Sequence, residues 1–517
     1  MELGAFIRDK WKVTERLTVN YGVRFDYTHF YNTFLYNPVV DTLTKFYDGI
    51  HANTGAAPKS ALQISPRVGF NYYVLEDKSL QIRGGAGLFQ GAPPFVWISN
   101  QASNSGMALF GSISNGQGFM FSPDVNAYRP TATPGLSKSY SINVTDPNYK
   151  FPQVLKSSLA VDKKIWGFTI TAEGSYTANI NASVFENIAL PSTGLITLSD
   201  GRVRYPVKSV YPISGIAQSE SNPAIGNAIY MTNANAGYVW TGTIQIQKQM
   251  NNFYASIAYT RQVAKDAAIN GSTASTMWGS RPTTGNSNEF ALGYSNNYLP
   301  HRIIGTLNYR KEYAKILASS IGIMYEASPN SSSNLSYVYN GDLNNDGFNN
   351  DLIYIPKDAS DIKLVNAAAV GGVADTRTQE ELWDQLNTFI SKNPYLSKHR
   401  GQFAERQALV LPWTHRLDLN FTQDVKIKVK NSTNTLRFTA DIYNLTNLLN
   451  KNWGVYKIPT TMSPLTFVKL DTDGKTPVFS FPYLDGIQQI PYTSAFKNDI
   501  NSYSRYQIQL GIRYIFN

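Results

Sequence analysis

The stretch Arg505-Tyr506-Gln507-Ile508-Gln509-Leu510-Gly511-Ile512-Arg513-Tyr514-Ile515-Phe516 decides the fold class of this chain. Side chains alternate between faces with period two along a strand. Tyr506, Ile508, Leu510, Ile512, Tyr514 and Phe516 therefore share one face, and Arg505, Gln507, Gln509, Gly511 and Arg513 share the other. One face is oily and aromatic; the other is polar and charged. A strand with lipid on one side and an aqueous lumen on the other needs that contrast. An amphipathic strand of a soluble sheet has it too, so the rest of the chain has to choose.

Working outward, the same rhythm recurs in pairs. Arg16–Tyr27 alternates most cleanly, with Leu17, Val19, Tyr21, Val23 and Phe25 on one face. Its partner runs from Leu3 to Val13, across a turn at Thr14-Glu15. Further pairs are Pro66–Leu75 with Leu80–Gln90 and Val154–Ile165 with Phe168–Asn179, the latter turning at Trp166-Gly167. Tyr238–Met250 pairs with Phe253–Arg261 through Asn251-Asn252, and Arg302–Arg310 with Leu317–Glu326. Arg416–Val429 pairs with Thr435–Asn444 through Asn431-Ser432-Thr433-Asn434. The terminal strand stands alone, which makes about thirteen strands in all.

Each segment is close to the roughly 9–11 residues that cross a bilayer as a tilted strand. Short turns alternate with loops of roughly 40 to 90 residues, far beyond ordinary connections. Short periplasmic turns and long extracellular loops are the asymmetry of an outer-membrane barrel. The polar faces carry Arg67, Arg83, Glu173, Arg302, Arg416, Asp418, Arg437, Asp441 and Arg513. An Arg facing lipid at mid-membrane costs about 2–4 kcal/mol, so these faces look into a lumen. Trp11, Tyr27, Trp166, Tyr309, Tyr313 and Trp413 mark segment ends, as interfacial girdles do.

Composition agrees. Charged residues are 16% of the chain and tyrosines number 33, against about 25% charged in a soluble domain. No apolar run is long enough for a transmembrane helix, and the start of the chain lacks the pattern of a secretory signal. Cysteine is absent, which excludes disulfides and thiolate metal sites. The net charge of +10 comes from dispersed Lys and Arg, so no nucleic-acid partner is expected. The expected fold is therefore all-β, a transmembrane antiparallel barrel. The first segment ends in a short turn, so it runs inward, whereas a complete barrel begins on an outward strand. The reading is of a partial barrel.

Several motifs carry a family resemblance. Gln509-x-Gly511-x-x-Tyr514-x-Phe516 resembles the C-terminal signal read by the outer-membrane barrel assembly machinery. Phe6-Ile7-Arg8-Asp9-Lys10-Trp11-Lys12-Val13 with Arg16–Arg24, Ser65–Phe70 and Arg83–Phe89 resemble TonB-dependent outer-membrane transporters. Asn350–Pro356, His399–Arg406, Leu411–Asp418 and Asp441–Asn447 resemble the Oar-like group of that family. The resemblance spans essentially the whole chain. It implies a barrel of about 22 strands filled by an N-terminal plug, of which residues 1–517 would be the C-terminal part of the barrel. It also implies a TonB complex acting through a plug, a small N-terminal β domain, and an outer membrane of a Gram-negative bacterium with its lipid around the wall.

Within the loop at 329–411 one constellation suggests a metal. Asp342, Asn344 and Asp346 precede Gly347, and Phe348, Asn350 and Asp351 follow. Oxygen ligands at loop positions one, three and five, a Gly at six, a carbonyl at seven and Asn at nine match the start of a Ca²⁺ loop. Ile353 replaces the bidentate Glu at position twelve. The alternative is a turn held by Asx hydrogen bonds, which is also the favoured reading of Asp471-Thr472-Asp473-Gly474. Beyond Ca²⁺ at this turn, no cofactor is required. Thr378 to Ser391 reads as a helix, with a capping box between Thr378 and Glu381 and an apolar stripe of Leu382, Leu386, Phe389 and Ile390.

Catalytic signatures are missing. His29, His51, His301, His399 and His415 lack zinc spacing, and there is no Gly-x-Ser-x-Gly elbow or phosphate-binding loop. No enzyme is expected. Loop aromatics Phe95, Trp97, Trp278, Tyr337, Tyr339 and Trp453 could stack on sugars or peptide side chains, or on one another. The resemblance implies energised transport, with lumen faces lining the path and loops capturing an unknown extracellular substrate. The alternatives are a passive outer-membrane channel and a surface adhesin or binding barrel.

Overall fold

The computed structural model describes residues 1–31, 34–107, 120–128, 139–211, 224–268, 271–296, 298–329, 335–429 and 432–516. Long strands form one antiparallel sheet in chain order. They are β1 (Glu2–Lys12), β2 (Leu17–Thr28), β3 (Ala61–Tyr73), β4 (Leu80–Gln90), β5 (Gln153–Ile165), β6 (Phe168–Ile180) and β7 (Gly237–Met250). After them come β8 (Phe253–Asp266), β9 (His301–Tyr313), β10 (Leu317–Pro329), β11 (Trp413–Val429), β12 (Ser432–Tyr443) and β13 (Gln507–Ile515). Each pairs with its sequence neighbour; among the described residues β1 and β13 have one strand partner each. The expected strand pairs are all present, most extended by a few residues at their loop ends.

The tight turns follow from local chemistry. Trp166 and Gly167 both adopt positive φ, 50° and 75°. That is the two-residue hairpin geometry whose twist matches the flanking strands. One turn departs from expectation. Ser432, Thr433 and Asn434 belong to β12, paired with Val429, Lys428 and Ile427, so the turn is tighter than Asn431–Asn434. Asn431 lies outside the described residues. Cross-strand pairing keeps Ser432–Asn434 in the ladder because extending the sheet satisfies their backbone groups. The connections 29–60 and 267–300 are also shorter than the expected range.

Register sorts the faces. Tyr259 on β8 opposes Ile303 on β9, which opposes Ala327 on β10, which opposes His415 on β11. Residues in such a row share a face. The outward face carries exposed Leu159, Ile244, Ile257, Leu510 and Ile512, an inversion of the soluble pattern that fits a wall in lipid. Among the described residues no helix is long and apolar enough to cross a membrane; the strands form the wall.

The loops hold the conventional core. One buried cluster joins Tyr337, Leu343, Ile355, Leu382, Phe389, Leu396, Leu465 and Phe481. A second surrounds Tyr205 and Trp278, and a third surrounds Val40, Ile142 and Ile225. A three-stranded sheet of Ser139–Thr145, Ala224–Ala234 and Ala182–Asn187 stiffens the cap from within the loops.

Candidate functional site

The site has a floor and a roof. The floor is the inner face of the wall. On β4, β5 and β6, Arg83 reaches Asp162 at 3.0 Å and Glu173 at 3.1 Å. On β9, β11 and β12, Asp424 accepts from Arg310 at 3.2 Å and from Arg437 at 2.6 and 2.9 Å. Arg302 pairs with Glu326 at 2.8 Å, and Arg416 with Asp418 at 2.8 Å. Arg8, Lys10, Arg24 and Arg67 line a concavity along β1, β2 and β3. The polar residues singled out from alternation therefore do face inward, and most are paired.

The roof is built by helix α1 (Gln379–Lys392) and buried arginines. Thr378 accepts from the Glu381 amide and Glu381 accepts from the Thr378 amide, so the expected capping box is present. Leu382, Leu386, Phe389 and Ile390 are buried against the cap core. Arg377, just before the helix, makes a two-pronged contact with Asp375 at 2.9 and 2.8 Å. It also donates to Gln385 at 2.7 Å and to the Phe481 carbonyl at 2.6 Å. Its guanidinium lies 3.9 Å from the Tyr483 ring centre. Burial opposes the charge on Asp375, but bonds from Arg377 and the Ala367 amide hold its carboxyl well below the usual range.

Arg202 has no exposed side-chain surface and bridges Asp200 at 2.8 Å and Asp351 at 3.4 Å. It thereby joins loop 181–236 to loop 330–412. Burial pushes Asp351 up to about 7, although Arg202 and the Asn344 amide counter it. Arg406 joins β8 through Asp266 at 2.9 Å and the Ala268 carbonyl at 3.2 Å. Arg281 is buried and donates to the carbonyls of Glu289, at 2.7 Å, and Ser287; burial, then Arg406, lowers it to about 10. Glu186 is pushed up to about 7 by burial and then by the Asp48 carboxylate. Sequence reasoning missed Arg202, Arg281 and Arg377 as posts. The signal available was Asp-x-Arg, at Asp200/Arg202 and Asp375/Arg377.

The expected Ca²⁺ turn sits at the join of three loops. Asp342 accepts from the Asp346 and Gly347 amides, each at 3.0 Å, and pairs with Lys208 at 2.7 Å. Asp346 accepts from Ser287, from Asn344 Nδ2 at 3.1 Å and from the Phe348 amide at 2.8 Å. Asp351 accepts from the Leu343 and Asn344 amides at 2.8 and 3.0 Å. Asn350 donates to the Gly279 carbonyl at 3.0 Å, while its Oδ1 is buried with no partner. Phe348 packs edge-on against Trp278. Among the described residues no three acidic or imidazole side chains are placed together to hold a metal. The Asp342, Asp346 and Asp351 carboxylates are engaged by protein donors, and the turn ties loops 181–236 and 267–300 to loop 330–412. Asp473 accepts from the Lys475 and Thr476 amides, as a plain turn does.

The aromatic candidates scatter. Trp278, Tyr337 and Tyr339 are buried in the cap, so their faces contact protein. Trp97 donates to the Gly271 carbonyl at 3.2 Å and packs on Phe185. Phe95 and Trp453 expose their rings and lie on different loops. A cleft of about 660 Å³ opens between Asp200, Tyr354, Asp361, Lys363, Asp471 and Thr476, drawn from three loops. That volume lies within the usual range for ligand sites. At the closing strand, Gln509 opposes Asp441 on the inner face. A Cβ at Gly511 would lie 2.6 Å from the Thr439 hydroxyl, so only glycine fits there without a shift. Tyr514 and Phe516 meet edge-on at 4.8 Å between ring centres, on the outward face.

Similar solved structures include the FrpB iron transporter from Neisseria meningitidis, at 10% identity and a TM-score of 0.36 over 86% of this chain and 41% of that one. The copper transporter OprC matches at 12% identity and a TM-score of 0.36, over 86% and 42%. The ferric enterobactin receptor PfeA from Pseudomonas aeruginosa matches at 7% identity and a TM-score of 0.38, over 99% and 44%. The chain thus spans less than half the length of these structures. Among curated protein sequences, none matches it. The outer membrane beta barrel domain family, in contrast, matches residues 1–469. With its lipid-facing wall, its polar inner face and that match, the chain belongs to the outer membrane beta barrel domain family and resides in the outer membrane of a Gram-negative bacterium.

Proposed function

We propose that this chain forms the C-terminal wall of a TonB-dependent transporter of the Oar-like group. Its loops capture an extracellular substrate, and its inner face lines the path. The observation that carries this reading is the pairing of a polar inner wall with an ordered roof. Arg83–Asp162–Glu173 and Arg310–Asp424–Arg437 wet the wall, and the three-loop cleft opens in the roof above it. The motifs at Asn350–Pro356 and His399–Arg406 support the group assignment.

The sheet supports a larger wall. Among the described residues β1 and β13 each have one strand neighbour, and an unpaired ladder in lipid costs several kcal/mol per group. Further strands, of this chain or of another, would close it. The experiment is uptake from spent growth medium, profiled by mass spectrometry. Cells with the intact gene, without it, and without TonB are compared. Metabolites depleted only when both gene and TonB are present support the proposal. Depletion that persists without TonB, together with swelling of arabinose-loaded liposomes carrying the purified protein, overturns it in favour of a passive channel.

A further inference from the structure

The outward face of the wall carries a ladder of rings at its loop end. Tyr259 on β8 stacks on His301 on β9, with centroids 6.1 Å apart. His301 meets Trp413 on β11 at 5.7 Å, and Trp413 meets His415 at 6.2 Å. His415 stacks on Tyr325 of β10 at 6.2 Å. Interplanar angles run from 22° to 35°, so the five rings lie nearly parallel across four strands. Pro329, opposite Trp413, and Ala327, opposite His415, carry small side chains that let rings from β9 and β11 meet across β10. Ala327 is fully enclosed despite its outward position.

A generic interfacial girdle needs only amphipathic rings. This ladder fixes its polar atoms. Tyr259 and His301 Nδ1 are 2.7 Å apart, and Tyr325 and His415 Nδ1 are 2.8 Å apart. Arg261, directly opposite His301 in the register, sends Nη1 to His301 Nε2 at 3.2 Å and to the Pro300 carbonyl at 3.1 Å. Guanidinium only donates. His301 Nε2 therefore accepts, and its Nδ1–H donates to the Tyr259 oxygen. Nη1 anchors Arg261, while its Nε and Nη2 have no hydrogen-bond partner among the described residues. Those two atoms form the edge of guanidinium that binds phosphate through two parallel bonds.

The surface lies at the loop end of lipid-facing strands, where the outer leaflet's headgroups meet the protein. We propose that Arg261 binds the phosphate of a phosphorylated lipid headgroup in the outer leaflet. The aromatic rings support its sugar or glycerol portion. The site holds a lipid against one sector of the wall, β8 to β11, and is independent of any transported substrate.

The test uses the full chain purified from outer membranes into nanodiscs, with bound lipid counted by native mass spectrometry. One set of discs contains a phosphorylated outer-membrane glycolipid and another the same lipid after phosphatase treatment. The wild type is expected to retain the phosphorylated lipid at least about fivefold better. Arg261→Gln, which leaves every ring of the ladder in place, is expected to abolish that preference. Equal retention of both lipids by the wild type overturns the proposal, whether or not the variant folds. So does undiminished preference in an Arg261→Gln variant that stays heat-modifiable on gels. Displacement of the lipid by millimolar inorganic phosphate would assign the site to a free anion and overturn the lipid assignment.

Discussion

The wall and the roof of this protein place their residues by opposite rules. In the wall, Ile257 and Leu510 face out and are exposed, while the paired Arg83, Glu173, Asp424 and Arg437 face in. In the roof, Leu382 and Phe389 are buried, and the arginines are buried with them. The wall meets lipid, so its backbone must satisfy itself through strand ladders. The roof meets water, so it can use the hydrophobic effect and must support irregular backbone with side-chain bonds. Substitutions should separate the two.

The largest separation is expected from Arg202→Ala. Removing one partner of a buried pair costs about 3–5 kcal/mol, because the other charge is left uncompensated. Asp200 and Asp351 both lose their partner. Limited proteolysis should cut loops 181–236 and 330–412, while the heat-modifiable gel shift of the barrel persists. Loss of the gel shift would show that roof and wall fold as one unit.

Ile257→Arg should act the other way. It sits mid-strand on the outward face of β8, where an Arg costs about 2–4 kcal/mol. Folding yield into vesicles should fall while the isolated chemistry of the cap is untouched. Its neighbour Ser256 faces inward and shares a hydrogen bond of 2.7 Å with Thr306. Ser256→Ala should cost about 1 kcal/mol. Equal effects at both positions would contradict the assignment of faces.

This contrast also explains what could be read from the sequence. The wall was legible almost strand by strand, because lipid on one side and water on the other impose period two on every segment. Leu80–Gln90 was anticipated to the residue. Helix α1 was legible for a similar reason: Thr378, Glu381 and its apolar stripe are local signals. The cap was not. Arg202 finds Asp351, and Arg406 finds Asp266, over more than a hundred residues of chain, and no period announces such partners. Trp278, Tyr337 and Tyr339 show the cost of composition-based reading. As loop aromatics they left ligand stacking and packing on one another both open; the loops have a core of their own, and these three rings fill it.

A smaller effect is expected from Thr378→Ala, which removes the hydroxyl that accepts from the Glu381 amide at 3.2 Å. Loss of such a cap costs about 0.5–2 kcal/mol. Hydrogen exchange should speed in the first turn of α1 and remain unchanged in β11.

The pH dependence should also divide the molecule. Asp351 and Glu186 titrate near 7 in the folded cap because burial disfavours their charged forms. A carboxyl whose folded value is raised binds a proton more tightly folded than unfolded. The stability it contributes is full at low pH and declines as pH rises from about 4 to about 7. Asp375, held low, acts oppositely: its contribution is present above the unfolded value and declines as pH falls below about 4. Opening free energies of the cap, measured by hydrogen exchange and corrected for intrinsic rates, should fall between pH 4 and pH 7. Asp351→Asn should flatten that slope, and the wall should show none of it.

The bridge from Arg202 to Asp351 carries one more consequence. Each loop supplies half of a bond whose other half belongs to a different loop. A surface loop is often treated as a module that can be exchanged between homologous barrels to transfer binding. Here a swap of residues 181–236 alone would carry Arg202 and its neighbour Asp200 away together, and would leave the buried Asp351 carboxylate without its guanidinium. Swaps in this barrel have to move 181–236 and 330–412 together.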